Sequence, residues 1–222
     1  MKVVFPEIKQ VFSCDEGEVW TIIVENQRYL YNILTDIERQ ILGNEGKVIL
    51  SENEKVVRID KKMELLTQFV PFDMNRKPLL NKIMAAMQEA ALEDEFYVKT
   101  NELLSAWESL CINLTWNLPG DIEFKKINLD SLIKAAGVEI ENEYERLGEK
   151  LIDYFELIET YDCKKVFVLL NLRSYIADNE MEAFIQEIIA RGYQIILLEN
   201  KEYSLLNGER RYIIDTGLCE IC

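Results

Sequence analysis

Alternating carboxylates are the residues of this sequence that could bind a divalent cation. Asp121 and Glu123 alternate on a short segment that we predict to be extended, and Glu139, Glu141 and Glu143 alternate after a glycine. Alternate residues of an extended chain lie on one face, and hard carboxylate oxygens suit Ca²⁺. The spacing fits a solvated acidic surface as well, so both interpretations stay open.

Basic residues form a second group that could do chemistry, here the binding of phosphate. Arg58, Lys61 and Lys62 lie near a predicted junction between two parts of the chain, and Lys125 and Lys126 follow the first pair of carboxylates. Their proximity in sequence allows a positive patch beside the acidic cluster. It fits equally well exposed lysines whose aliphatic stems cover apolar surface.

The overall charge argues against a nucleic-acid partner. The formal net charge is −15, from 40 acidic and 25 basic residues, whereas proteins that bind nucleic acid normally present a basic surface. A total says nothing about distribution, and bound cations can reverse a local field. Two further basic pairs, Lys164–Lys165 and Arg210–Arg211, lie at predicted strand edges, where charge protects against edge pairing.

The common catalytic constellations are missing from the sequence. With no histidine, the usual general base, the serine and cysteine triads and histidine-assisted metal sites are excluded. The strand-to-helix joint Val24–Arg28 lacks the glycines and lysine of a phosphate-binding loop, and Glu25 would repel a phosphate. We therefore predict no ATP hydrolysis. A nuclease that uses only carboxylates and metal ions stays conceivable, although no compact motif supports it.

Cysteine usage and hydropathy indicate a cytoplasmic protein. The five cysteines show no disulfide-scaffold spacing, which fits a reducing compartment. Cys219 and Cys222 form a CxxC, but without a second CxxC or a histidine a zinc site is not expected. The apolar runs are shorter than the roughly 20 residues of a membrane helix. The first residues read as a strand rather than a signal peptide.

The hydrophobic pattern predicts an α/β protein with a helical insertion. Strands are predicted at Val3–Phe5, Gln10–Ser13 and Val19–Val24, a helix over Gln27–Leu42, and a hairpin from KVILSE and KVVRID around Asn53 and Glu54. About a hundred residues of helical pattern follow, and the chain ends with VFVLLNL, a helix over Glu180–Arg191 capped by Asn179, and QIILLE. These last segments predict a βαβ unit in a mostly parallel sheet.

The two ends of the chain should therefore build one domain together. We predict an α/β head domain from residues 1–60 and 162–222, and a helical arm inserted between them as residues 61–161. The head topology is compatible with a nucleotide-binding ancestor, although the phosphate-binding motif is absent.

The order of the segments resembles that of one known family. The segments that carry the resemblance are GEVWTIIVEN, TQFVPFDMNRKPLLNKIMAAMQEAA, LPGDIEFKKINLDSLIKAAGVEIE, KKVFVLLNLRSYIADNEMEAFIQEI and YQIILLENKEY. The most specific parts are Phe72, Asp73 and Asn75, the stretch Ile127–Val138, and the C-terminal βαβ unit. Together they resemble the Csn-two (Csn2) family of type II-A CRISPR systems over nearly the whole chain.

The resemblance implies a fold and a function. The head is expected to be a degenerate P-loop-like domain without a Walker motif, and four copies are expected to form a ring whose basic inner wall encircles double-stranded DNA. Ca²⁺ is expected to hold the arms in place. The ring would serve CRISPR spacer acquisition as a non-enzymatic adaptor for the integrase complex and the RNA-guided effector nuclease. A basic inner wall is compatible with an acidic exterior.

The resemblance also points to site residues. The calcium-ligand candidates are Asp121, Glu123, Glu139 and Glu141, with Glu143 or Asp130 able to replace any of them. The candidates for the DNA-facing wall are Arg58, Lys61, Lys62, Lys125 and Lys126. The alternatives to the DNA-binding ring are a metal-dependent nuclease, a residual nucleotide hydrolase and a purely structural interaction protein.

Overall fold

A computed structural model describes residues 1–14, 17, 19–124 and 127–221. The chain divides into two compact units, which we call the sheet unit (Met1–Phe72 and Glu143–Cys222) and the helical unit (Asp73–Asn142). In the described part of the chain, no helix is both long and apolar enough to cross a membrane.

The secondary structure comprises ten strands and seven α-helices in the described residues. The strands are β1 (Lys2–Val4), β2 (Phe12–Ser13), β3 (Val19–Val24), β4 (Ile49–Glu52), β5 (Lys55–Val57), β6 (Met63–Leu66), β7 (Val166–Leu170), β8 (Gln194–Glu199), β9 (Glu209–Ile214) and β10 (Glu220–Ile221). The helices are α1 (Gln27–Ile41), α2 (Ile59–Lys62), α3 (Lys77–Ala90), α4 (Asp94–Thr115), α5 (Leu129–Ala135), α6 (Leu147–Asp162) and α7 (Asp178–Arg191). A short 3₁₀ turn, Leu172–Ser174, follows β7.

The predicted mostly parallel sheet is present in the sheet unit. Its six strands lie in the order β10-β9-β3-β8-β7-β6, and only β10 pairs antiparallel. All six residues of β3 are buried, as expected for a central strand with both faces covered. The predicted βαβ unit corresponds to β7, α7 and β8 and is confirmed.

A smaller antiparallel sheet lies in the same unit. Its order is β2-β1-β4-β5. The predicted hairpin is confirmed as β4 and β5, which pair in antiparallel register around Asn53 and Glu54. Both turn residues have positive φ, 50° and 63°, which is the geometry of a type I′ turn that matches the twist of the strands.

The core of the sheet unit has aromatic and aliphatic residues on both faces of the parallel sheet. On one face, Trp20 and Ile22 of β3 belong to a buried cluster with Ile33 of α1. On the other, Phe155 of α6 is fully buried and its ring centroid lies 4.2 Å from that of Phe167 in β7. The sheet is therefore held between helices, which fixes the positions of its two ends.

The helical unit is closed by hydrogen bonds between its first and last residues. Asn75 donates its side-chain amide to the carbonyl of Ile140 at 2.9 Å and accepts the Ile140 N–H at 2.7 Å. The Asn142 amide donates to the Asp73 carboxylate at 2.5 Å. Asp73 and Asn75 come from the segment that carries the family resemblance, and here they tie the entry of the unit to its exit.

Four details of the sequence prediction differ from the structure. Met63–Leu66, expected to be helical, is the edge strand β6, and Glu209–Ile214 forms β9, which the sequence did not predict. The predicted cap at Asn179 is wrong because α7 begins at Asp178, two residues before the predicted Glu180, and its N-cap is Ala177. The unit boundaries also differ, since residues 61–72 and 143–161 belong to the sheet unit through β6 and α6.

Candidate nucleic-acid interface and acidic cluster

A basic edge is formed where two neighbouring parallel strands begin. The register pairs Met63 of β6 with Val166 of β7, so the residues that precede these two strands are brought together. The N–H of Lys165 donates to the carbonyl of Lys62 at 2.9 Å. Residues about a hundred positions apart in sequence are thereby placed side by side. We call Arg58, Lys61, Lys62 and Lys165 the basic edge.

One carboxylate, Asp60, lies within the segment 58–62 that contributes three residues to the basic edge. Arg58 donates two hydrogen bonds to Asp60, at 2.9 and 2.7 Å, and these bonds hold the pKa of the Asp60 carboxyl below its usual range. Lys61 lies 3.9 Å from the same carboxylate. The side chains of Arg58 and Lys61 are 70% and 71% exposed. Three cations against one carboxylate leave this segment, 58–62, with a net positive charge.

The two lysines that precede β7 have different environments. Lys165 is half-exposed and lies 3.5 Å from Glu52. Lys164 is nearly buried and pairs with the buried carboxylate of Glu64, which also accepts a hydrogen bond from the Tyr154 hydroxyl at 2.8 Å. The Lys164 ammonium is therefore held by Glu64. Of the two lysines, Lys165 is the more exposed and the one that could contact a phosphate.

The other two sequence candidates for the DNA-facing wall, Lys125 and Lys126, lie outside the described residues. The structure places Arg58, Lys61 and Lys62 together and adds Lys165, which the sequence analysis had assigned only to a strand edge. The signal that could have found Lys165 is the pairing of β6 with β7, which requires recognising β6 as a strand.

The acidic candidates are exposed and do not assemble into a metal site within the described chain. Asp121, Glu123, Glu139, Glu141 and Glu143 all lie at the surface. Among the described residues, no group of three or more Asp, Glu, His or Cys side chains is arranged to hold a metal ion. The residues therefore do not fit a complete calcium site in a single chain, and no step of DNA binding is assigned to calcium.

Asp130, the alternative ligand, is already engaged by neighbouring side chains. It accepts hydrogen bonds from Gln88 and Lys134, both at 2.7 Å. The bond from Lys134, together with that from Gln88, holds the pKa of the Asp130 carboxyl below its usual range. A cation at Asp130 would have to displace Lys134.

The joint between β3 and α1 is occupied by the protein's own hydrogen bonds. Asn26 caps α1 by accepting the Tyr29 N–H at 2.9 Å, and its amide donates to the carbonyl of Thr216 at 2.8 Å. The Glu25 N–H donates to the carbonyl of Ile214 at 2.9 Å. Backbone donors at such a joint bind phosphates in nucleotide-binding folds. Here the N–H groups of Glu25 and Tyr29 are already used.

A buried ionic network, missed by the sequence analysis, crosses the sheet face opposite α1. Arg173 is almost fully buried and donates to Asp178 at 2.8 Å and to Glu209 at 3.4 Å. Its N–H donates to Glu199 at 3.1 Å, and Thr21 donates to Glu209 at 3.0 Å. Burial raises the pKa of Glu199 to about 7. Arg173, Glu199 and Glu209 are buried, whereas Asp178 lies at the exposed end of the network.

Comparisons with known proteins identify the family. The model of the family described as CRISPR-associated protein (Cas_Csn2) matches residues 40–218. The curated CRISPR-associated protein Csn2 of Streptococcus agalactiae is 25% identical over 225 aligned positions, covering 97% of this chain and 95% of the relative. That of Enterococcus faecalis is 23% identical over 153 positions, covering 68% of each.

Solved structures give only a weak likeness. A putative ABC transporter ATP-binding protein from Pyrococcus furiosus aligns with 95% of this chain and 93% of its own, at 15% identity and a TM-score of 0.37. CbiO1 from Clostridium perfringens aligns with 95% of this chain and 79% of its own, at 9% identity and a TM-score of 0.45. These scores are too low to carry an argument. The family model, in contrast, covers most of the sequence, and the chain belongs to the CRISPR-associated Csn2 family.

Proposed function

We propose that this protein binds double-stranded DNA without reading its sequence and acts as an adaptor in CRISPR spacer acquisition. The observation that carries the proposal is the basic edge, where β-strand pairing brings Lys165 beside Arg58, Lys61 and Lys62. Family membership supplies the CRISPR context. The partners in this role are duplex DNA, the integrase complex and the RNA-guided effector nuclease.

The mechanism of binding is electrostatic. Exposed lysine and arginine side chains neutralise phosphates and release counterions, which gives affinity without sequence information. The rest of a chain of charge −15 repels the duplex. DNA is therefore confined to the basic edge and to any further basic surface from Lys125 and Lys126.

Self-association into a ring homotetramer is the second part of the proposal. Helix α4 is 22 residues long and none of its described residues is buried. Leu103, Leu110 and Leu114 repeat along it and are all exposed. Exposed apolar surface of this kind marks an interaction site, and other copies of the chain are the partners that the ring requires.

We further propose that the protein is not an enzyme. It has no histidine, and the β3–α1 joint uses its own donors internally. The rival functions are a metal-dependent nuclease and a residual nucleotide hydrolase. Labelled linear DNA incubated at length with Mg²⁺ or Mn²⁺ should stay intact, and ATP should not raise the melting temperature. DNA fragments or a nucleotide-dependent rise would favour a rival.

The DNA-binding proposal is tested by the double variant Lys62→Ala/Lys165→Ala. Each phosphate contact contributes a slope of about −0.9 in log affinity against log salt, so a tetramer that loses two contacts per subunit should lose up to about 7 from the magnitude of this slope. The measurement is a mobility shift of linear DNA at several salt concentrations. The variant should retain its fold because neither lysine is buried and such lysines contribute little to stability.

A matched control removes the same charge from the other end of the sheet. Arg28 lies in the first turn of α1, and Lys201 follows β8. Neither belongs to the basic edge, so Arg28→Ala/Lys201→Ala should keep the wild-type salt slope. If both double variants flattened the slope equally, net charge rather than the basic edge would control binding. Lys125→Ala/Lys126→Ala would then test the remaining candidate wall.

Ring closure and calcium are tested separately. A closed ring threads only onto an end, so linear DNA should be retained and covalently closed circular DNA released. We propose that Ca²⁺ influences assembly rather than phosphate contact, since the single chain gathers no complete site. Light scattering should show a tetramer in the presence of calcium, and the chelator should lower its mass or increase its radius. An unchanged monomer in both conditions would contradict the ring.

A further inference from the structure

A groove lies between α6 and α7 in the sheet unit, away from the basic edge residues. The two helices run side by side in the same direction. Two contacts show this: Arg146 at the start of α6 lies 4.0 Å from Glu180 near the start of α7, and Arg191 at the end of α7 lies 3.3 Å from Glu156 in the second half of α6. The space between them is a cavity of about 280 Å³. This volume is below the roughly 300–1,000 Å³ of sites for drug-sized ligands and suits one or two side chains.

The floor of the groove is apolar. Ile152 and Phe184 are buried there, and Ala183 lies beside them. Gly148 also lines the groove, and a Cβ on it would lie 3.4 Å from the Phe184 ring. Phe184 is only 4% exposed, so the absent side chain leaves space above the floor rather than an exposed ring. An aliphatic stem can occupy this space between Gly148 and Ala183.

The rim of the groove is acidic. The charged lining residues are Arg146, Glu149, Asp153, Glu180, Glu187 and Arg191, four carboxylates against two guanidinium groups, so the net charge is −2. Arg191 lies 2.6 Å from Glu187 and is engaged at one end of the groove. Arg146 makes only long contacts, 3.7 Å to Glu149 and 4.0 Å to Glu180, at the other end.

Asp153 lies between these two ends. It accepts a hydrogen bond from the Tyr144 hydroxyl at 2.7 Å, and within the described chain no salt bridge is found for it. It is exposed at the surface. An additional cation placed over the floor would lie in the groove that Asp153 and Glu187 both line. An apolar floor under an acidic rim matches the amphipathic side chains of lysine and arginine, which combine an aliphatic stem with a cationic end.

From this complementarity we propose that the groove between α6 and α7 docks a lysine- or arginine-bearing segment of another protein. A metal ion is disfavoured because the described residues form no group arranged to hold one. DNA is disfavoured by the four carboxylates. A second copy of this chain, with a net charge of −15, offers poor charge complementarity. The proposal goes beyond DNA binding, and its failure would leave that proposal intact.

The test uses a fluorescently labelled peptide of alternating lysine and leucine, eight residues long, and fluorescence polarisation with the full-length protein. The double variant Asp153→Lys/Glu187→Lys should weaken binding at least about tenfold, because like charges then face each other. The control Glu38→Lys/Glu45→Lys makes the same charge change at exposed positions outside the groove and should change affinity less than about twofold. Equal weakening in both variants would overturn the proposal.

A second variant tests the floor without changing charge. Gly148→Ala should not unfold the protein, because alanine is a better helix residue than glycine and 3.4 Å is an ordinary contact distance. The new methyl group narrows the groove beside Phe184, so affinity for the peptide should fall about threefold while the melting temperature does not fall. Unchanged affinity would overturn docking on this floor. Displacement of the peptide by spermidine at equal charge concentration would assign the groove to polyamines and also overturn it.

Discussion

The sheet unit and the helical unit bury their apolar residues to very different extents. Every residue of β3 is buried in the sheet unit, and Phe155 and Phe167 pack ring to ring on one face of the sheet. In the helical unit, α4 has no buried position among its described residues and exposes large apolar side chains along its length. One unit completes its core with its own residues, and α4 in the other leaves apolar surface exposed, which we propose to be an interface between copies.

This difference separates the residues that maintain the fold from those that make assemblies. Helical stability in proteins comes mainly from packing of an apolar face, and α4 has that face without intramolecular cover. Substitutions in the sheet unit should therefore act on the free energy of unfolding. Substitutions on α4 should act on oligomeric mass.

The largest expected effect is that of Phe155→Ala. Phe155 is fully buried and its ring lies 4.2 Å from Phe167, so truncation should lower the free energy of unfolding by about 3–5 kcal/mol. Urea unfolding followed by circular dichroism measures it. The matched control Trp107→Ala, on exposed α4, should cost less than about 1 kcal/mol at a protein concentration that favours monomer. Equal losses of unfolding free energy in the two variants would contradict the difference between the sheet unit and α4.

The next effect concerns a nearly buried ion pair of the sheet unit. Lys164→Met leaves the Glu64 carboxylate without its ammonium partner, which should cost about 3 kcal/mol. Adding Glu64→Gln to Lys164→Met should recover most of the loss, since the amide carries no charge. The exposed pair of Arg58 and Asp60 provides the contrast, and Arg58→Ala should cost less than about 1 kcal/mol. Denaturant midpoints for the three variants and the wild type decide between these expectations.

A smaller effect depends on pH through Glu199. Burial raises its pKa in the folded state to about 7 from an ordinary 4.5, so the folded protein binds this proton more tightly and loses stability as pH rises from about 4.5 to 7. Glu199→Gln should therefore be more stable than wild type at pH 8, by up to about 3 kcal/mol, and should lose this advantage below pH 4.5. Thermal unfolding at both pH values tests this. A constant difference would rule out titration of Glu199, and exposed Glu38→Gln is the control.

The smallest effect on stability, with a large effect on assembly, is expected on α4. Leu103→Ser combined with Leu110→Ser and Leu114→Ser removes one exposed apolar face, so unfolding of the monomer should change by less than about 1 kcal/mol. The mass from light scattering should fall below that of a tetramer. A tetramer with unchanged mass would show that α4 is not an interface between copies.

The parts of the fold that follow from local pattern could be predicted from the sequence. The buried run Val19–Val24, the hairpin around Asn53 and the βαβ unit were predicted because each has a period or a turn signal of its own. Strand β6 could not be, since Met63–Leu66 follows α2 without a break and is only four residues long. Strand β9 starts with Glu209, Arg210 and Arg211, and these charges hide its apolar alternation.

The candidate site was predictable to a lesser degree. Arg58, Lys61 and Lys62 were found because they are close in sequence, whereas Lys165 joins them only through long-range strand pairing. The buried Arg173 network was invisible because nothing in the sequence shows that an arginine after a buried strand turns inward. The family resemblance is confirmed, whereas the role that it implies stays a proposal, and the resemblance could not show whether the acidic candidates converge.

The insertion of the helical unit between two paired strands has a consequence for folding. The residues 67–165 separate β6 from β7, whereas only residues 171–193 separate β7 from β8. Closing the longer loop costs more chain entropy and long-range pairing is slow, so we expect β7, α7 and β8 to form first and β6 to join last. Pulse-labelled hydrogen exchange should show late protection of Met63–Leu66. A newly made chain would then acquire Lys62 beside Lys165 only in its final step, so that incompletely folded copies would lack the surface that we propose for DNA binding.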